Sequence, residues 1–344
     1  MAEEAHRITT LLPVDAETAL PRFEARASAI GFASARIGGR LRVTLSGGTA
    51  TVGPAPGGTA LEVTAEDGPH LQMLRDYLTE ELQAAGLRPL WQGPPGDGWP
   101  ASHARTRVVA VQRLSPAYRR VTLAGADLAR FDAGGLHFRL LLGPAGADWP
   151  RTDGNGVTQW PGGAAAWHRP VYTIRHLDLT PPEPQLAFDV FVHAGGRVTD
   201  WTATLRPGTD VVLAGPGGDR GPRPAAWHGL VGDETALPVI ARHLALLPAD
   251  ARGAARIVVP DRADIQPLTA PPGVALRWLL RAEGATPLAA LAELSIPETG
   301  RAVFFAAEQA EAQAARQALL ARGLARSEFT AAGYWSAVTA PGEA

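Results

Sequence analysis

Apolar residues recur at helical spacing in residues 15–31, where Ala19, Phe23, Ala27 and Ile30 share one face and Gly31 offers a C-cap. Pro21 lies inside this stretch and suits a helix that begins there rather than at Asp15, because its fixed φ fits a first turn. Polar and apolar positions then alternate over 41–45 and 49–52 on either side of Ser46, Gly47 and Gly48, which predicts a β-hairpin. Residues 60–64 read as a third strand and 87–91 as a last short one. Between them Leu71, Leu74, Leu78 and Leu82 follow Asp67 and Gly68 at helical spacing, up to Gly86. Residues 8–92 therefore read as a small α+β unit.

Residues 93–100 consist entirely of Gly, Pro, Asp and Trp, the composition of a linker. Beyond it, strands are predicted at 107–114 and 118–123, joined at Ser115 and Pro116, and at 136–142, 186–193 and 210–214. Closely spaced strands with few helices indicate a barrel. Residues 143–167 show no periodicity and read as one long loop. From about 226 the rhythm changes. Strand 228–231, helix 234–247, strands 255–259 and 276–280, helix 286–294, strand 301–305 and helix 307–322 describe an open, mainly parallel α/β sheet. The expected architecture is multidomain: an α+β domain over 1–92, a linker over 93–102, an antiparallel β-barrel over 103–222 and an α/β open-sheet domain over 223–344.

Composition narrows the chemistry. The chain has 344 residues and a formal net charge of -2, so no overall field draws it to nucleic acid or an anionic membrane. It contains no lysine, so every cationic site must use arginine or histidine. It contains no cysteine, which excludes disulfides, thiolate nucleophiles, iron–sulfur clusters and Cys-ligated zinc. No metal site is predicted. Residues 1–7 are acidic and lack an apolar core, unlike a signal peptide, and no apolar run reaches the length of a membrane span. A soluble cytoplasmic protein is the expectation. His6 and His70 are isolated and read as surface or structural residues.

Four stretches carry candidate chemistry. Arg169, Pro170, Val171, Tyr172, Thr173, Ile174 and Arg175 read as a strand in which alternation puts Tyr172 on one face and Val171 and Thr173 on the other. An arginine can fork onto a diphosphate, a ring can lie along a flat cofactor, and a hydroxyl can bond a ring nitrogen. That combination suits a flavin dinucleotide, and it equally describes an ordinary half-exposed strand. Downstream, Gly195 and Gly196 precede Val198, Thr199 and Trp201, a turn whose amides could surround an anion, or a plain glycine turn over a core aromatic. Residues 214–218 form a glycine loop after a strand. Val231, Gly232, Asp233, Glu234, Thr235 and Ala236 then give a strand, a glycine and a helix start, a phosphate-cradle arrangement in which backbone amides and Thr235 are the anion contacts.

Taken together, these motifs resemble the siderophore-interacting protein family, flavin-dependent ferric-siderophore reductases of the ferredoxin-reductase-like superfamily. The resemblance runs from about residue 103 to 335. It rests on residues 114–121, 137–140, Arg169 with Tyr172, Thr173 and Arg175, His193 through Trp201, 214–216, Gly232 through Pro238, 278–281, Ala306 through Glu308, and Gly333, Tyr334 and Trp335. Residues 1–92 are similar to a small domain found ahead of such reductases. The resemblance implies an FAD-binding barrel and an NAD(P)-binding α/β domain. It implies that Arg169 holds the FAD diphosphate, that Tyr172 packs along the isoalloxazine and ribityl chain, and that Thr173 bonds the flavin near N5. Tyr172 and Thr173 are thus the groups nearest the redox chemistry. His193, Gly196, Val198 and Thr199 would surround the diphosphate with Trp201 supporting the turn. Gly232, Asp233, Glu234, Thr235, Ala236 and Glu308 would line the side of NADPH or NADH, and Tyr334 and Trp335 would lie near the flavin. A ferric siderophore or other Fe(III) chelate would meet Arg175, Arg197 and Arg281.

Three departures from the family pattern stand out. The usual G-P-A-S reads Gly196, Arg197, Val198, Thr199, with a bulkier Val198. The usual A-G-E reads Ala306, Ala307, Glu308, placing a methyl where backbone meets nucleotide. The usual G-Y-W-R-x-G reads Gly333, Tyr334, Trp335, Ser336, Ala337, Val338, without the basic group. These keep open a non-catalytic siderophore or flavin carrier, and a reductase fed by ferredoxin.

Overall fold

The structure, a computed structural model, describes residues 6–93 and 98–337. Part of the predicted linker, and Val338 of the last departure, lie outside the described residues. The chain divides by contact into two compact units, 1–106 with 125–171 and 210–219, and 107–124 with 172–209 and 220–344. Each of the three sequence segments nevertheless carries its own sheet.

The first segment runs β1 (His6–Leu12), α1 (Ala16–Ala29), β2 (Ser34–Ile37), β3 (Arg40–Leu45), β4 (Gly48–Ala55), β5 (Gly58–Ala65) and α2 (Gly68–Ala84). The strands form an antiparallel sheet in the order β1-β5-β4-β3-β2. Ile8, Leu12, Leu41, Val52, Leu61 and Val63 of the strands are buried with Leu71, Leu74, Leu78 and Leu82 of α2. Helix α1 starts ahead of Pro21, because Asp15 caps it by accepting a bond from the Thr18 amide at 2.7 Å. Residues 87–91 form no strand. Only Gln92 pairs, in a single bridge to Thr9, since Pro89 cannot donate and the side chains there lack alternation.

The second segment contributes β6 (His103–Arg113), β7 (Tyr118–Ala124), β8 (His137–Leu141), β9 (Arg151–Thr152), β10 (Thr158–Gln159), β11 (Val171–Thr173), β12 (His176–Asp178), β13 (Gln185–Phe191), α3 (Arg197–Thr204) and β14 (Asp210–Gly217). Seven of these strands form an antiparallel sheet in the order β11-β8-β14-β6-β7-β13-β12. Its two edges, β11 and β12, are consecutive in the chain, joined only by Ile174 and Arg175. Three Cα steps reach at most about 11 Å, whereas seven flat strands would span ~29 Å. The sheet therefore curls into a barrel. The expected single strand over 169–175 is in fact split, and the split closes the barrel. The long loop 143–167 is not featureless either: β9 and β10 pair within it as a small hairpin.

The third segment runs β15 (Trp227–Gly232), α4 (Leu237–Leu246), β16 (Arg252–Val259), β17 (Gly273–Leu280), α5 (Pro287–Ala292), β18 (Arg301–Glu308), α6 (Gln309–Ala321) and β19 (Phe329–Trp335). The sheet is parallel, in the order β17-β16-β15-β18-β19. The crossover from β15 through α4 to β16, followed by a jump back to β18, is the doubly wound pattern with its strand order reversing beside β15. Among the described residues no helix is long and apolar enough to cross a membrane.

Candidate functional site

Within the first unit, Arg169 is held at both ends. Leu142 and His168 exchange two backbone bonds of 2.9 Å, the Leu140 amide donates to Pro170 O at 2.9 Å, and Arg139 Nη1 donates to Arg169 O at 3.1 Å. Its guanidinium carbon lies 4.6 Å from the centre of the Trp160 ring. Trp160 in turn packs against Trp167 at 5.4 Å and His103 at 5.8 Å. This cation–π contact holds the guanidinium over the ring without using its N–H donors. Among the described residues those donors make no hydrogen bond, so a forked cation stands ready for an anion. Neither Trp160 nor His103 was singled out by the sequence, because the loop that holds Trp160 has no period to mark an inward-facing position.

The second unit holds Tyr172 and Thr173. The Tyr172 ring packs on the buried Phe188 at 5.1 Å, and burial pushes its phenol well above the ordinary value, so it stays neutral. Thr173 is buried, and among the described residues its hydroxyl engages no partner. Val171 and Thr173 do not share an environment as alternation suggests: Val171 is exposed and Thr173 buried, because β11 is only three residues long before the chain turns to the opposite edge.

Helix α3 begins at Arg197 with Gly196 as N-cap, a residue with no side chain to satisfy the first amides. A Cβ on Gly196 would come within 2.8 Å of both His193 Nε2 and Thr199 Oγ1, so a side chain there would push the exposed His193 ring and the Thr199 hydroxyl aside. Val198 is buried, so its bulk points into the protein and its backbone amide is what it presents. The Thr199 hydroxyl accepts from the His193 amide at 3.2 Å, and the exposed His193 ring stacks on Phe191 at 6.0 Å. Trp201 is half-buried and Arg197 exposed. Arg119 of β7, which sequence reasoning missed, secures the helix by donating to Thr199 O at 3.1 Å and Thr202 Oγ1 at 2.9 Å.

The turn after β15 differs from the expected phosphate cradle. Asp233 is fully buried, and its Oδ1 accepts from the Thr235 amide at 2.9 Å, the Thr235 hydroxyl at 2.7 Å and the Ala236 amide at 3.3 Å. Its Oδ2 accepts from Trp335 Nε1 at 2.7 Å. The amides and hydroxyl expected to meet an anion thus already close on this carboxylate, and they delay the start of α4 from Glu234 to Leu237. Desolvation raises the Asp233 pKa while the Thr235 and Trp335 bonds oppose the rise. Gly232 is required by packing, since a Cβ there would lie 2.8 Å from Ala306 O. Glu308 caps α6 through the amides of Ala310 and Glu311 and also accepts from the Ala337 amide at 3.2 Å. Tyr334 is half-buried. The Ala307 methyl is wholly buried in the core with Phe305, Ala315 and Phe329, so it does not obstruct a ligand as the family comparison suggests.

Of the three arginines expected to meet substrate, Arg281 is engaged. It makes a two-pronged pair with the buried Glu234 at 2.5 and 2.7 Å, and that bond raises its pKa. Arg175 lies 3.5 Å from Asp189, whose two oxygens are taken by Arg120 at 2.7 and 2.9 Å, and Arg175 Nε is buried without a hydrogen bond. Asp189 and Arg120 were not anticipated. A lone carboxylate between Phe188 and Val190 in an apolar strand was the available signal.

Comparison with known proteins gives a consistent result. Residues 107–220 match the siderophore-interacting FAD-binding domain, and residues 225–338 match the siderophore-interacting protein domain. An uncharacterized protein of Mycobacterium tuberculosis is 43% identical over 111 residues, 32% of this chain, and this chain spans only 38% of that relative's length. The ferric vibriobactin reductase ViuB of Vibrio cholerae is 31% identical over 234 residues, 63% of this chain and 83% of ViuB. The crystal structure of a siderophore utilization protein from T. fusca superposes with a TM-score of 0.62 at 29% identity, over 73% of this chain and 98% of that one. The matched FAD-binding domain implies FAD, and the donor set fits its anionic diphosphate: an arginine over an aromatic ring whose N–H groups are unused among the described residues and, separately, a helix start whose glycine cap has no side chain to satisfy the first amides. The two domain matches, the extent of ViuB covered and the ferredoxin-reductase-like fold agree, and the chain belongs to the siderophore-interacting protein family.

Proposed function

We propose that this chain is an FAD-dependent ferric-siderophore reductase that passes electrons from NADPH or NADH to an Fe(III) chelate. The observation that carries the reading is Arg169, its guanidinium 4.6 Å over the Trp160 ring, three residues ahead of a neutral Tyr172 and a buried Thr173, with neither the Arg169 donors nor the Thr173 hydroxyl hydrogen-bonded among the described residues. In this reading Arg169 grips the diphosphate, Tyr172 packs along the isoalloxazine and ribityl chain, and Thr173 offers its hydroxyl near N5. Gly196 and the amides of Val198 and Thr199 surround the diphosphate, with His193 beside them and Trp201 behind the turn. Bound FAD supplies the exchange between a hydride's electron pair and the single electrons that Fe(III) accepts. No side chain has to move a proton to the metal, so a His–carboxylate pair is not needed. Arg175 and Arg197 remain cations suited to an anionic siderophore. Arg281 acts through Glu234, and residues 232–236 with Glu308, Tyr334 and Trp335 form the side for the nicotinamide nucleotide.

A carrier, or a reductase fed by ferredoxin, is favoured by one observation: the Asp233 carboxylate already holds the amides that a nucleotide phosphate would use. One experiment separates the readings. FAD-loaded protein is titrated anaerobically with NADPH and then NADH, and ferric chelate is added with an Fe(II) indicator. Bleaching of the flavin bands followed by Fe(II) release is the expected result. Flavin bands that ignore both nucleotides support the carrier or the ferredoxin-fed enzyme. Protein that shows no flavin absorbance and no response to added FAD refutes the reading entirely.

A further inference from the structure

The α2 helix of the N-terminal domain grips the β9–β10 hairpin through a buried polar network. Asp76 Oδ1 accepts from the Thr158 amide at 2.9 Å and its Oδ2 from the Thr158 hydroxyl at 2.6 Å. Gln72 donates to Asp76 Oδ1 at 3.0 Å and to Gly156 O at 2.9 Å, and Arg75 Nη1 donates to Gly156 O at 3.1 Å. Gln72, Arg75 and Thr158 are all buried. Beside this network, Asn155 accepts from the Trp91 amide at 2.7 Å and donates to Pro89 O at 3.0 Å. The fit is close: Gly156 has φ +72, and a Cβ there would fall 1.8 Å from Arg75 Nη1. Burial pushes the Asp76 carboxyl up from its ordinary value, opposed by its bonds to Thr158 and Gln72. Polar groups buried this deeply hold one arrangement, because breaking it strands several donors at once.

The hairpin leads directly to the candidate site. Trp160 follows β10 by one residue, and its ring carries the Arg169 guanidinium. We propose that the N-terminal α+β domain is a positioning device for Arg169: Asp76, Gln72 and Arg75 fix the hairpin, and the Trp160 that follows it holds the guanidinium over its ring. This deepens the flavin reading and rests on it for what Arg169 grips. Asp76, Thr158 and Trp160 are positioning residues, which act through Arg169.

The test uses the full-length, flavin-free chain with two readouts. The variants are Asp76→Asn, Thr158→Val, Trp160→Leu and Trp160→Phe, and Asp76→Asn is also combined with Trp160→Leu. Hydrogen exchange at 157–169 should quicken about tenfold in Asp76→Asn, with the amides of 8–65 unchanged. The FAD Kd should rise roughly three- to tenfold in Asp76→Asn, Thr158→Val and Trp160→Leu, and stay within about twofold of the unsubstituted chain in Trp160→Phe. In the Trp160→Leu background, Asp76→Asn should change the Kd by less than about twofold, because the link is already cut. Equal losses in both backgrounds, or unchanged exchange at 157–169, overturn the proposal. A chain that takes up no FAD refutes the flavin reading alone, and hydrogen exchange then decides the bracing by itself.

Discussion

His103 makes the aromatic cluster beneath Arg169 acid-sensitive. The ring is 3% exposed and packs on Trp99 at 6.0 Å and Trp160 at 5.8 Å, and its Nδ1 is buried with no hydrogen-bond partner. Desolvation, with a smaller push from the Arg130 charge, lowers its pKa from 6.5 to about 3. The unfolded chain therefore binds a proton near pH 6.5 that the folded chain refuses until about pH 3. Stability from this group is complete above 6.5 and is lost as pH falls toward 3. Linkage over that window gives a loss of about 2 kcal/mol between pH 7 and pH 5. The perturbation is His103→Phe, which keeps a ring against both tryptophans and removes the titrating nitrogen. Urea denaturation at the two pH values, run on both chains, should show the unsubstituted chain losing about 2 kcal/mol more than H103F. Proton NMR of the His103 ring should show no titration down to about pH 4. A midpoint near 6.5, or a pH-dependent difference between the chains below about 0.5 kcal/mol, refutes the claim that the ring is buried neutral.

Three further outcomes follow. Arg169→Ala should weaken FAD binding by roughly ten- to a hundredfold, the worth of charge-assisted hydrogen bonds, read by quenching of flavin fluorescence. Asp264 is 1% exposed and accepts from Ser115 Oγ at 2.6 Å and the Ala117 amide at 2.9 Å, so Asp264→Ala should cost about 2–3 kcal/mol in denaturation. Gly156→Ala should cost at least about 1 kcal/mol, because φ is +72 and the added methyl meets Arg75, and limited proteolysis should then cut within 143–167.

Elements with one buried face were legible in the sequence. The leucines of α2 and the alternating β3–β5 hairpins have an apolar period because half of each is core. Strand β2 is exposed throughout and exists only by pairing with β3, so no period could reveal it. Strand β19 buries Phe329 and Ala331 but passes through Gly333 on its way to Trp335, too weak a signal to read as a strand. The split at Ile174 and Arg175 is a property of barrel closure, which local sequence does not encode. The same limit applies at the candidate site. Arg169, Tyr172 and Thr173 were visible as residue types in one strand-like stretch. The supports of Arg169 and Tyr172, Trp160 and Phe188, lie 9 and 16 positions away, Arg119 lies 80 positions from the Thr199 it secures, and all three become visible only in three dimensions.

The structure also redistributes the weight of the family departures. Ala307 looked like an obstacle to a nucleotide, yet its methyl fills core between α6 and the sheet, where it adds apolar burial and faces no ligand. Val198 looked too bulky beside a diphosphate, yet its side chain is buried and leaves its amide at the helix start. Neither substitution argues against a working reductase. The resistance lies instead in residues that match the family fully. Asp233 holds the Thr235 and Ala236 amides and Trp335 at once, and Glu234 holds Arg281. A nucleotide phosphate entering this turn has to displace a buried carboxylate from several hydrogen bonds, each worth about 0.5–1.5 kcal/mol net. A nicotinamide ring that only moves Trp335 breaks one of them. In the proposed reductase, nucleotide binding that keeps the phosphates away from Asp233 is therefore less costly than binding that displaces its carboxylate.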